Sequence, residues 1–451
     1  MRLTLLTVGV MLFTHAICYA GTLPKEPEFD NGEYMLDLVT NRYNRLWREV
    51  YDAGDNRFRL RLGSNSYEQW FLEEELKFST TLTSRLRFRF HHARFFRNSS
   101  EQLSDDTFEF EGRPFGNFYL SLFATPTFLK AENSIGLMLQ RRRTVNQYTI
   151  LFVEFPQLVR NFTEREKGGR DSVITVFTDK PVRFGIDLRE PIGSHIWLRV
   201  AGEYIPPFEM IDEIKTTGQE IAREGVKAAG IMGWVEYVWG SELEPNEQTA
   251  VGIDWGVRKE ESTRSFGGTS GAPQREPGTA HGGLQRAPRL LEMEIDDDLF
   301  DRGLDDTIQV WHEERFRLQP YVWWTLNHRF TLRATVRAEQ REITWAPVVG
   351  PAHRLRTDYV VTSMGLRAHF GSRRQSIVEA GTASEFRKRI EEIGVMSTTT
   401  RHDDHRVYLS FEYAFDDSKR IRVIEALELD GEDIGNLAIH DHGFLQMIFG
   451  F

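Results

Sequence analysis

The chain has 451 residues, a formal net charge of −11, 27% charged residues and a single cysteine. One cysteine excludes an internal disulfide framework and a CxxCH haem attachment. No segment beyond the first twenty residues is apolar enough for a transmembrane helix, and length alone suggests two or three soluble domains.

The N-terminus reads MRLTLLTVGVMLFTHAICYA, with Arg2 ahead of an apolar run from Leu3 to Phe13 and a small residue at Ala20. The run is too short to span a bilayer, so residues 1–20 are expected to be a secretory signal, and Cys18 leaves with it. Residues 21–55 are expected to form an N-terminal periplasmic segment. Within it, Leu36, Val39, Tyr43, Leu46 and Val50 fall on one face of a helix between Met35 and Asp52. This helix suits a cap on a barrel floor or a handle for a periplasmic partner. Nothing indicates nucleic-acid binding.

From residue 56 the pattern has a period of two. Phe58, Leu60 and Leu62 alternate with Arg57, Arg59 and Arg61. Leu86, Phe88 and Phe90 alternate with Arg85, Arg87 and Arg89. Similar stripes run through Val182 to Arg189, Phe330 to Arg337 and Val407 to Phe415. With 32 Phe, 13 Tyr and 10 Trp and no long apolar run, an exported chain of this kind suits a membrane β-barrel. A large β-sandwich is the alternative. Strands are expected near 56–63, 69–80, 84–93, 105–112, 116–124, 134–143, 146–155, 170–178, 181–189, 195–205, 231–241, 248–258, 307–326, 329–342, 358–371, 404–415, 418–429 and 437–451. That gives eighteen, but alternation then places the short turn Asn327-His328 outside and the long 259–306 segment inside. One strand between about 180 and 245 and another near the C-terminus are therefore suspect, and sixteen strands fit as well as eighteen. Residues 259–306 read as a disordered loop, and Ser384–Ile393 as a short helix with Phe386, Ile390 and Ile393 on one side.

The last segment, GFLQMIFGF, puts Leu445, Met447, Phe449 and Phe451 on one face. It resembles the terminal strand of bacterial outer-membrane β-barrels, in which an aromatic last residue and alternating apolar positions are read by the assembly machinery. The resemblance implies an all-β, transmembrane antiparallel barrel of about 16–18 strands over residues 56–451. It also implies a place in the Gram-negative outer membrane, against lipid and lipopolysaccharide.

If the apolar faces meet lipid, the lumen receives Arg57, Arg59, Arg61, Arg85, Arg87 and Arg89, with Arg183, Arg189, Arg199, Arg315, Arg317, Arg333, Arg337 and Arg367. A ring of guanidinium groups could line an anion path. Alternatively Glu73, Glu75, Asp187 and Glu203 could neutralise them in cross-strand ladders that only stiffen the wall. His402, His405, His440 and His442, near Asp403, Asp404 and Asp441, are a possible metal group, although the spacing matches no established zinc pattern. The acidic stretch from Glu292 to Asp306 could attract calcium or bridge lipopolysaccharide. Tyr321, Trp323, Trp324, Trp234, Tyr237 and Trp239 fit interfacial girdles, while Trp197 and Trp323 could instead face a sugar path. No catalytic group and no cofactor are expected. Two readings stay open: an outer-membrane channel, porin or export conduit for an anionic or carbohydrate solute, and a sheath or docking barrel for a partner in a secretion, polysaccharide-export or electron-conduit assembly.

Overall fold

A computed structural model describes residues 56–450 apart from 66–69, 98–99, 127–132, 145–146, 156–161, 165–172, 179–180, 215, 240–248, 267–307, 348–350, 372–375, 416–418 and 429–439. The expected signal, the 35–52 helix, Phe451 and the 267–306 part of the expected loop lie outside the described residues.

The strands, in chain order, are β1 (Arg57–Asn65), β2 (Trp70–Thr83), β3 (Leu86–Arg97), β4 (Ser100–Phe115), β5 (Phe118–Pro126), β6 (Asn133–Thr144), β7 (Gln147–Phe155), β8 (Phe162–Glu164), β9 (Val173–Phe177) and β10 (Arg183–Ile192). They continue as β11 (Ile196–Ile214), β12 (Gln219–Trp239), β13 (Thr249–Phe266), β14 (Ile308–Asn327), β15 (Phe330–Pro347), β16 (His353–Phe370), β17 (Ser376–Ile393), β18 (Met396–Ala414), β19 (Lys419–Glu428) and β20 (His440–Gly450). Neighbours in the chain pair antiparallel, β7 skips to β10, and β20 closes on β1. The β8–β9 hairpin stays out of the ring, with β9 lying along Met210–Ile214 of β11. Eighteen strands therefore form a closed barrel without a free edge.

The expected count of eighteen conceals two errors that cancel. Residues 170–178 supply only β9, which is no stave of the barrel. Ser384–Ile393, expected as a helix, is the second half of β17. Phe386, Ile390 and Ile393 mimic a helical stripe because the outward positions Ala380, Thr382 and Ser384 before them are small and hide the alternation. With β17 restored, the turn at His328-Arg329 and residues 84–85, 116–117 and 193–195 fall at the end that carries Asn56 and Gly450, here the terminal end. Residues 156–182, 267–307 and 429–439 connect strands at the opposite, loop end. The expected loop also begins too early, since β13 continues through Phe266.

The outer face carries an apolar belt. On β12 the outward positions from Trp239 through Tyr237, Val235 and Ile231 to Ala229 are apolar or glycine, and Lys227 ends the run. On β14 the run from Leu326 and Trp324 to Phe316 gives way to Glu314 and His312. β1, β5, β7 and β10 have only 9 or 10 residues. By contrast β11 to β18 have 18 to 21, so this side of the wall continues past the belt at the loop end.

Inside, bulky rings are seated on glycines of the facing strand. Phe123 lies over Gly136, Phe152 over Gly185, Tyr321 over Gly252 and Tyr408 over Gly381, each pair directly opposite in register. A Cβ at Gly185 would come within 1.9 Å of the Phe152 ring, which explains why only glycine fits. Pro206 and Pro207 occupy a bulge in β11 between the stretches paired with β10 and β9. Residues without an N–H are tolerated there because no ladder partner on that side requires one.

Candidate functional site

Strand alternation places Arg57, Arg59 and Arg61 of β1, Arg87 and Arg89 of β3 and Arg183 and Arg189 of β10 on the inner face. Arg199, Arg315, Arg317, Arg333, Arg337 and Arg367 lie there as well. Arg85 differs: it is an exposed residue of the turn at 84–85.

These cations are interleaved with carboxylates. Glu75, 3% exposed, meets Arg59 at 3.0 Å, Arg57 and Lys77 at 3.5 Å each, and the His91 Nε2 at 3.0 Å. Five strands round the ring, on β17, Glu379 accepts from Arg367 at 2.6 Å and contacts Arg333 at 2.5 Å. The Tyr408 hydroxyl donates to the same carboxylate at 2.9 Å while accepting from Arg333 at 2.7 Å. Glu339 serves both Arg315, at 2.5 Å, and Arg337. The other described contacts join one acid to one or two arginines, or one arginine to two acids. Arg341 meets Glu313 at 2.7 Å, Arg199 meets Asp187 at 2.8 Å, and Arg183 bridges Glu154 and Glu203. Glu111 draws in Arg89 and Arg142 at 3.0 and 3.1 Å, with Glu109 also on Arg89. The Glu73 side chain lies outside the described residues.

Apart from Lys77–Glu75 and Arg337–Glu339, each within one strand, the contacts run along the wall and join strands one to three places apart. Cross-strand acid–arginine ladders are thus part of the structure, as the Glu75 strand between two arginine strands suggested. The hubs Glu379, Glu339 and Tyr408 were not singled out in the sequence. Glu379 sits on the strand misread as a helix, where its face could not be assigned.

Several aromatic side chains occupy a different face from the one expected. Trp324, Tyr237 and Trp239 are outward and exposed near the terminal end, in a girdle position. Trp234 and Tyr321 are instead buried on the inner wall, where Trp323 also lies, in keeping with its alternative inward placement. Arg367 stacks on Trp323 at 4.5 Å, and Arg189 lies 5.3 Å from both Trp197 and Trp234. Tyr321 donates to Glu236 at 2.5 Å. Guanidinium groups therefore cover the two tryptophans considered for a sugar path.

The histidines do not converge. His402 and His405 are three apart on β18 and so project to opposite faces. His405 Nδ1 lies 2.8 Å from the Ser384 hydroxyl on the outer side. The side chains of His440 and His442 lie outside the described residues. Among the described residues, no group of three or more His, Cys, Asp or Glu side chains is arranged to hold a metal. At the closing seam Leu445, Met447 and Phe449 face outward and pair with Leu62, Leu60 and Phe58.

Fold and lining together define an all-β closed antiparallel barrel with an apolar exterior and an ion-paired interior. No family model and no curated protein sequence matches the chain. Among solved structures, it is similar to a bacterial polysaccharide outer membrane secretin, with 7% identity over 88% of this chain and 99% of that one, at a TM-score of 0.38. It is also similar to OccK10 (OpdN) of Pseudomonas aeruginosa, with 10% identity over 88% and 98% of the two chains and a TM-score of 0.38. OccK2 (OpdF) of the same organism, in complex with glucuronate, has 9% identity over 87% and 96% and a TM-score of 0.39. Values this low make none of them a demonstrated relative.

Proposed function

We propose that the chain spans the outer membrane of a Gram-negative cell and conducts small anionic or carbohydrate solutes through its charged interior. The outer belt supports insertion: on β12 it covers eleven residues, Ala229–Trp239, close to the ~9–11 that cross a bilayer at a tilt. A closed barrel also leaves no backbone group unpaired in lipid.

The observation that carries anion preference is the sharing of carboxylates. Glu75 has three permanent cationic partners, and Glu379 and Glu339 have two each. Counted on these contacts each carboxylate is outnumbered by its cations, and only in the Glu339 group does a further acid, Glu385, act on Arg337. Solutes carrying phosphate or carboxylate are drawn to such clusters, whereas the one-to-one ladders contribute stiffness without selectivity.

The purified full chain in a planar bilayer under a KCl gradient is the direct test. A stable conductance with a reversal potential on the chloride side is expected, and Arg57→Gln with Arg59→Gln should move that potential toward neutrality. A cation-selective pore would overturn the anion reading. A barrel that inserts without conducting would favour the sheath, to which the apolar inner patch of Phe123, Met138, Ile150 and Phe152 lends support.

A further inference from the structure

Several charged side chains on the outer wall at the loop end are paired. Arg354 binds Glu342 at 2.9 Å and Arg356 binds Asp358 at 2.9 Å. Lys388 of β17 and Arg401 of β18 break the pattern. They are directly opposite in register, no bulge interrupts either ladder of β17, and alternation from the exposed Phe386 and Leu409 puts both on the outer face. Among the described residues neither has a carboxylate partner within salt-bridge distance. Asp358, which lies opposite Lys388 on the other side, is already held by Arg356.

Like charges directly opposite across a ladder repel, with Cβ atoms only ~4.5–5.5 Å apart. An anion between them removes the repulsion. Their height narrows the choice of anion. One outward step toward the terminal end is Phe386, an exposed apolar residue level with Val360 of β16; Ile390 follows Lys388 on the same face, and on β18 His405 and Asp403 separate Arg401 from Val407, so the two cations sit just beyond the belt. In a bilayer that is the headgroup level, where anionic lipids attract basic residues.

We propose that Lys388 and Arg401 hold the phosphomonoester of a lipid headgroup in the loop-end leaflet, the chemistry that lipid A presents. The proposal rests on the membrane reading above. Arg401 supplies a planar fork for two phosphate oxygens and Lys388 a point charge on the third. Arg356, two residues from Asp358 on the same face, remains occupied by that acid and is not part of the site. Asp403, one outward step from Arg401 toward the belt, limits the affinity, and its removal should raise it.

The test is native mass spectrometry of the full chain in detergent, titrated with Kdo2-lipid A, with phosphatidylglycerol and with inorganic phosphate. A lipid A adduct at the lowest lipid concentration is expected, and Lys388→Gln with Arg401→Gln should reduce it roughly tenfold. Arg354→Gln should leave it unchanged, and Asp403→Asn should strengthen it. Equal adducts in the double variant and the native chain would overturn the site, as would binding of inorganic phosphate without preference for the lipid. Flotation with phospholipid vesicles separates the two readings. A chain that fails to float refutes the membrane reading, whereas one that floats with an unaltered lipid A adduct in the double variant refutes only this site.

Discussion

Two stretches of the inner wall solve the same packing problem with opposite chemistry. Across β5, β6, β7 and β10, Phe123, Met138, Ile150 and Phe152 form an apolar cluster, with rings laid over Gly136 and Gly185. Across β14 to β18, Tyr408 lies over Gly365 and Gly381 in the same manner, but its neighbours are Arg333, Arg367, Glu379 and Trp323. The ring-on-glycine joint is shared. The apolar stretch depends on volume, whereas the charged one depends on every ion keeping its partner, since a buried cation deprived of its carboxylate retains the full desolvation cost. On the channel reading, selectivity belongs to the second stretch and to the Glu75 cluster, five strands further round the ring from Glu379.

The largest effect should follow from removing the shared acid. Glu379→Ala strands Arg333 and Arg367 in a site that is almost entirely buried. A loss of about 3–5 kcal/mol is expected, read by urea unfolding in lipid vesicles. A loss below about 1 kcal/mol would mean that water reaches both guanidinium groups, and the contrast between the two stretches would fail. In the apolar stretch Phe123→Ala should cost about 3–5 kcal/mol through the cavity it leaves. Met138→Leu, which keeps the volume, should cost less than about 1.5 kcal/mol. Gly185→Val should disrupt assembly outright, because its Cβ would enter the Phe152 ring.

The same contrast explains what the sequence disclosed. Strands with an arginine face, such as Arg57–Leu62 and Arg183–Arg189, declare both sides at once, because only one side can meet an apolar surroundings. β5, β6 and β7 are apolar on both sides, so period two shows a strand without saying that Leu120, Leu137 and Leu151 face out while Phe123, Met138 and Ile150 face in. For the same reason Trp234 and Tyr321 pass for girdle residues until the register assigns them a side. The loop-end half of β12 is rich in alanine and glycine, and β17 opens with small outward residues, so both lose the contrast on which alternation depends. The arginines were legible one by one. The partners Glu75, Asp187 and Glu203 were legible as well, whereas Glu379 was not, because an ion pair between strands depends on register, and register depends on counting every strand correctly.

The smallest effect belongs to the outer wall beyond the belt, where water competes for every contact. Glu261 meets Lys227 at 2.5 Å and Lys259 at 3.4 Å, and Glu314 meets Lys259 and His312 at 3.1 Å each. The hydrogen bond from Lys227, and next that from Lys259, holds the Glu261 carboxyl below the ordinary carboxylate range, and Lys259 does the same to Glu314. Because these folded-state values are depressed, the stabilisation is complete above the unfolded-state range and disappears as pH falls through the folded-state values. Acidification from neutral pH should leave β13 and β14 intact until below about pH 4.5, then speed amide exchange in Lys259–Phe266 and Ile308–Glu314. Glu261→Gln should flatten that response while leaving exchange around Tyr408 untouched. If the two stretches loosen together on acidification, the wall beyond the belt and the ion-paired interior are one cooperative unit, and the independence assumed for them is wrong.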